Sequence, residues 1–202
     1  MNDNNTSETV NELPYGQFRG NITIIEDASE AAKAVDILKK ADIIGFDTET
    51  KPAFKKGEGH KIALLQISTL NDAYLFRINK TGFSPELIEL FEDDSILKIG
   101  VGIRDDLRGL NKLRRFKPCG FIELQDMAKS LQLGTFSLKG LAAEVLNLHI
   151  SKRQRLTNWE ADIYTQAQID YAATDAWIAL RIFNELMSKE PECKVESVNY
   201  LS

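Results

Sequence analysis

The 202-residue chain has only two cysteines, Cys119 and Cys193, and two histidines, His60 and His149. The cysteines show no C-x-x-C spacing and no nearby histidine, and neither histidine fits a zinc pattern. A disulfide framework and a zinc site are therefore not expected, and free thiols in a reducing cytoplasm are. No apolar run approaches the roughly 20 residues that span a bilayer, so no membrane partner is expected. The opening MNDNNTSETV is polar and acidic and lacks the basic and apolar regions of a secretory signal. Internal repeats and long linkers are absent. What remains is a globular composition, 43% hydrophobic and 27% charged, which excludes collagen-like, wholly disordered and disulfide-dense chains. The length suits one domain that can bury about 70% of its unfolded surface.

The net charge is −5, but it is not evenly spread: residues 1–31 carry six acidic groups against Arg19 alone, and the remainder balances 24 against 24. An acidic total therefore does not exclude a polyanionic partner. Residues 1–16 read as a flexible acidic tail, 17–190 as one domain and 191–202 as a C-terminal tail. Within the domain, Ile22–Ile25 reads as a short strand. Asp27 and Glu30 have capping-box spacing before an amphipathic helix to about Lys40. Ile43–Asp47 is a dense apolar run of the kind buried on both faces of a sheet. Segments 61–68 and 73–76 flank a short Asn71-Asp72 turn, which predicts an antiparallel hairpin. Strands at 97–101 and 121–124 alternate with helices near 85–91, 105–114, 126–131, 137–146 and 165–187. The pattern predicts an α/β fold with a mixed five-stranded sheet flanked by helices, strand 22–25 being the candidate sixth at an edge.

Three places can carry chemistry. Asp47 and Glu49 lie two apart at the end of the most buried strand, so they share a face about 6.6 Å apart, where two carboxylates repel unless a cation lies between them. Tyr171 and Asp175 lie four apart in an alanine-rich helix and stack on one face; a carboxylate there is costly unless paired or metal-bound. Gly100–Leu107 (GVGIRDDL) runs from a strand into a helix. Each has an ordinary reading when taken alone: a solvated turn, a capped acid beside a core tyrosine, a helix-dipole aspartate.

Together the three resemble the motifs of the DEDD superfamily of 3′–5′ exonucleases, tyrosine-bearing subgroup, over about Ile22 to Leu186. FDTET at 46–50 is similar to its first motif, GVGIRDDL at 100–107 to its second and DYAATDA at 170–176 to its third. The G-V-G-I form is nearer to the Werner-type exonuclease domain than to ribonuclease D. Leu124–Ala128, Ser137-Leu138 and Asn158-Trp159 fall where the family has similar residues. The resemblance implies a ribonuclease-H-like fold and two divalent cations, Mg²⁺ or Mn²⁺. It implies that Asp47, Glu49, Asp106 and Asp175 are metal-binding, with Tyr171 positioning the attacking water. Helical phase also selects Asp106. Ile103, Asp106, Leu107, Leu110 and Leu113 recur at threes and fours on an inward face, and Asp105 falls outward with Gly109 and Lys112.

Cations gather near these motifs: Lys51, Lys55, Lys56 and Lys61 after the first, and Arg104, Arg108, Lys112, Arg114, Arg115 and Lys117 around the second. Lys152, Arg153 and Arg155 precede Trp159. The 152–155 group is expected to hold substrate phosphates, with Trp159 or Phe54 stacking on bases. The expected substrate is nucleic acid, DNA favoured over RNA by the G-V-G-I form. A ribonuclease-D-like exoribonuclease and a non-catalytic nucleic-acid-binding module stay open as alternatives. The chain ends about 15 residues after the last expected helix, so a helicase or other repair partner is expected to act in trans.

Overall fold

The computed structural model describes residues 13–55 and 59–190. Lys56 and Cys193 lie outside the described residues, as do 1–12 of the expected N-terminal tail and all of 191–202.

The elements run β1 (Asn21–Ile25), α1 (Ala28–Leu38), β2 (Ile43–Thr50), β3 (Ile62–Ser68), β4 (Asp72–Phe76), a helical turn α2 (Ile78–Thr81), α3 (Pro85–Glu92), β5 (Leu97–Gly100), α4 (Ile103–Leu113), β6 (Phe121–Glu123), α5 (Leu124–Ser130), α6 (Leu138–Leu146) and α7 (Gln166–Lys189). The six strands form one sheet in the order β1-β4-β3-β2-β5-β6. β2, β3 and β4 pair antiparallel. β5 and β6 add parallel on one side and β1 adds parallel to β4 on the other. The expected hairpin joins β3 to β4, with the Thr69 hydroxyl accepting from Asp72 N at 3.0 Å. The edge strand makes the sheet six-stranded.

Two layers of helix cover the sheet. On one face Ile44 and Phe46 join the core made with α1, α3 and α4, and Phe46 meets Phe91 and Phe121 edge-on. On the other face lies α7, whose start carries a capping box built from Thr165 and Gln168. Its buried Ala172, Ala173 and Ala176 let it approach closely. A Cβ on Gly45 would lie 2.0 Å from the Ala176 carbonyl oxygen, so only glycine fits there.

Some boundaries differ from the sequence reading for identifiable reasons. α4 begins at Ile103 rather than 105, because Gly102 takes φ 76° and the Glu123 carboxylate caps the helix from afar. It accepts from Gly102 N at 2.9 Å and Ile103 N at 2.8 Å. The expected tail through residue 16 is corrected at its end. Pro14 O accepts from His149 N and Gly16 N donates to His149 O, so 14–16 are tied to the domain. Among the described residues no helix is long and apolar enough to cross a membrane.

Candidate active site

β2 pairs with β5 only through Gly45. Past that point β5 ends and the chain turns into α4, leaving a crevice at the strand ends, the usual ligand position in open α/β sheets. Asp47 and Glu49 enter it on the α7 face, and Asp175 enters from α7. Oxygen atoms of all three lie within 4.8 Å of one another. Asp106, from the first turn of α4, stands beside this trio and not in it. Its carboxylate accepts the Thr48 hydroxyl. Asp105 is 84% exposed and ion-paired with Arg108, so the helix phase is the expected one.

The acids raise one another's affinity for protons. Burial, then the charges of Asp106, Glu49 and Asp175, push Asp47 well above the ordinary carboxylate range. Burial with Asp175 and Asp106 pushes Glu49 up to about 9, with Arg155 pulling it back. Burial pushes Asp175 up to about 7, offset by a hydrogen bond from Tyr171 and by Lys152. Burial takes Asp106 up to about 6, offset by Thr48. The Tyr171 phenol is raised by burial and then by Asp175 and Glu49.

None of the four acids enters an ion pair among the described residues. Three converging oxygen donors outside any direct ion pair suit a divalent cation, which takes hard ligands.

Lys152 and Arg155 line a cavity of about 330 Å³ together with Asp47, Tyr171, Asp175, Ser137 and Lys139. Arg153 is exposed beside it and does not line it. A second cavity of about 620 Å³ lies across the acids, lined by Thr48, Glu49 and Asp106 and by Lys61, Arg108 and Lys112. Trp159 is a correction. It is 0% exposed, with its ring 5.5 Å from Tyr164 and 6.0 Å from Tyr171, so it offers no face to a base. It is a core residue that backs Tyr171. Lys139 and Thr48 went unnoticed in the sequence. Their only signal was adjacency to the Ser137-Leu138 and Asp47-x-Glu49 motifs.

This sheet order, helical cover and acidic crevice define the ribonuclease-H-like 3′–5′ exonuclease fold. Solved structures agree. The Nibbler EXO domain of Aedes aegypti superposes with a TM-score of 0.79 at 19% identity, covering 90% of this chain and 95% of that one. Escherichia coli RNase D gives 0.76 at 22% identity, covering 85% and 46%.

A family model described as 3′–5′ exonuclease matches residues 22–190. The chain belongs to that family of enzymes. The mouse bifunctional 3′–5′ exonuclease/ATP-dependent helicase WRN is 34% identical over 197 residues, 93% of this chain and 14% of that protein. A putative 3′–5′ exonuclease of Acanthamoeba polyphaga mimivirus is 32% identical over 166 residues, 73% of this chain and 40% of that protein. The chain thus spans less than half the length of these two relatives.

Proposed function

We propose that the protein hydrolyses nucleotides from the 3′ end of DNA, with Asp47, Glu49, Asp106 and Asp175 holding two Mg²⁺ or Mn²⁺ ions and Tyr171 orienting the attacking water. The observation that carries this reading is the convergence of three carboxylates at the open end of β2. Two such ions, when bound, activate the nucleophile and stabilise the leaving 3′ oxygen of an in-line displacement. The chain's own groups supply the rest. Asp47 and Glu49 present oxygens from a rigid strand, and Asp175 presents its own from a helix packed on that strand. Asp106 is reached across the second cavity, where the Thr48 hydroxyl holds it. The Tyr171 hydroxyl hydrogen-bonds Asp175 and lines the first cavity beside Asp47, so its oxygen is placed to orient the attacking water. Lys152 and Arg155, which line the first cavity with Asp47 and Asp175, offset the negative charge of the scissile phosphate. Arg153 contributes only to the surrounding positive field.

DNA is favoured by the likeness to a Werner-type domain. RNA is the second reading, since RNase D shares the fold and a Trypanosoma brucei RNase D was solved with RNA. A helicase acting in trans fits the mouse relative, whose name joins both activities. The test uses 5′-labelled single-stranded DNA, recessed duplex and RNA, each with Mg²⁺, Mn²⁺ or chelator. A metal-dependent descending ladder strongest on DNA is expected. A stronger ladder on RNA moves the substrate to the second reading. Binding without cleavage on every substrate refutes catalysis.

A further inference from the structure

Resting on the reading of Asp47 as a metal ligand, we infer that Gln66 and Ser68 form a buried relay that positions the Asp47 carboxylate. Gln66 lies directly across from Asp47 in the antiparallel β2–β3 register, and Ser68 lies across from Gly45. Residues opposite one another in an antiparallel pair share a face, with Cβ atoms about 4.5–5.5 Å apart. Gln66 and Ser68 therefore project to the α7 side with Asp47 and Gly45. Both are 0% exposed.

Among the described residues, Gln66 Nε2, Gln66 Oε1 and Ser68 Oγ have no hydrogen-bond partner. Buried polar groups are almost always satisfied, so three orphans side by side under one helix call for an explanation. Bulk water does not reach them, because the alanines of α7 and Gly45 bring helix and sheet into close contact. The Thr48 backbone N–H already donates to Asp47 Oδ1 at 2.9 Å, which holds that carboxylate from one side.

A side-chain rotation satisfies all three orphans in one chain. The Ser68 hydroxyl donates to Gln66 Oε1, which turns Gln66 Nε2 toward β2, where its N–H donates to Asp47. An amide flipped the other way would aim an oxygen at the ionised carboxylate, so Asp47 selects the productive orientation and the Ser68 hydroxyl, able to donate or accept, completes it from the other side. A neutral donor placed there favours the ionised acid without competing with a cation for it, since an amide carries no charge. Outer-shell partners of this kind typically set metal affinity or activity by about 10–100-fold when removed.

The experiment titrates Mn²⁺ by calorimetry into wild type, Gln66→Met, Ser68→Ala and Asp47→Asn, with melting temperatures taken in chelator. Gln66→Met is expected to weaken Mn²⁺ about tenfold while its chelator melting temperature holds or rises, because orphaned polar atoms are gone. Its kcat falls with KM unchanged. Ser68→Ala weakens Mn²⁺ by a smaller factor in the same direction. A chelator melting temperature that drops with Mn²⁺ affinity intact makes Gln66 a structural residue and overturns the inference. Should Gln66→Met fail to fold, unchanged Mn²⁺ affinity in Ser68→Ala overturns it equally. If Asp47→Asn binds Mn²⁺ as wild type does, the metal reading itself fails. If Asp47→Asn loses Mn²⁺ and Gln66→Met does not, only the relay fails.

Discussion

Raising the pH from 5.5 to 8.5 in chelator should destabilise this protein through its acid cluster, and Asp175→Asn should blunt the effect. Asp175 has its carboxyl pushed up from 3.8 to about 7 in the folded chain, first by burial. A group whose folded pKa is raised contributes stability that is complete below its unfolded pKa. That contribution is lost as pH rises toward the folded value, because the folded state binds the extra proton. Each pH unit inside that window costs about 1.4 kcal/mol per proton. Between pH 5.5 and about 7, Asp175 alone therefore removes about 2 kcal/mol, or about 4–8 °C of melting temperature for a domain of this size. Glu49, pushed up to about 9 with Asp175 as its leading charge cause, extends the decline to pH 8.5. Asp175→Asn deletes the first contribution and shrinks the second, so its curve should be flatter by at least those degrees. A divalent cation should restore wild type at pH 8.5 and do much less for the variant. Scanning calorimetry at half-unit pH steps checks this. Parallel curves for wild type and Asp175→Asn would refute the claim that these carboxylates repel one another in a buried site.

Tyr171→Phe should slow turnover by about 10²–10⁴-fold with KM nearly unchanged; an unchanged rate in single-turnover assays would leave Tyr171 a packing residue. Asp106→Asn should cost at least about 2.7 kcal/mol of transition-state stabilisation, a hundredfold in rate. Asp105→Asn should cost at most about 1 kcal/mol of stability and leave the rate alone, and the reverse ranking at saturating Mg²⁺ would sink the assignment. Trp159→Ala should destabilise the domain by about 3–5 kcal/mol in urea melts; a loss below about 1 kcal/mol would contradict its burial in the core.

What could be read from the sequence is what neighbours in the chain determine. The apolar run Ile43–Phe46 made a buried strand, the Ser84-Pro85 start made a capped helix, and the phase of Asp106 against Asp105 followed from 3.6-residue periodicity. Features set by distant partners could not be read this way. Trp159 sits among cations in a loop, which suggests exposure, yet the loop is folded down by Arg77 from the end of β4. That guanidinium, 1% exposed, donates to the Ala161 and Asp162 carbonyls, pairs with Glu26 at 2.8 Å and lies 4.3 Å from the Tyr164 ring centre. Tyr164 in turn donates its hydroxyl to Trp159 O at 2.6 Å, and Trp159 backs Tyr171. No local pattern announces a chain of contacts running from residue 26 to residue 171. The two terminal nitrogens of that buried guanidinium are bonded by Glu26 and by the 161–162 carbonyls, while Nε has no partner among the described residues, so the conformation of 159–164 that receives those two nitrogens also places Trp159 against Tyr171. The ring that backs the site's tyrosine is therefore held by a buried guanidinium at the end of β4, on the opposite side of the sheet's centre from the G-V-G-I turn that leads to Asp106.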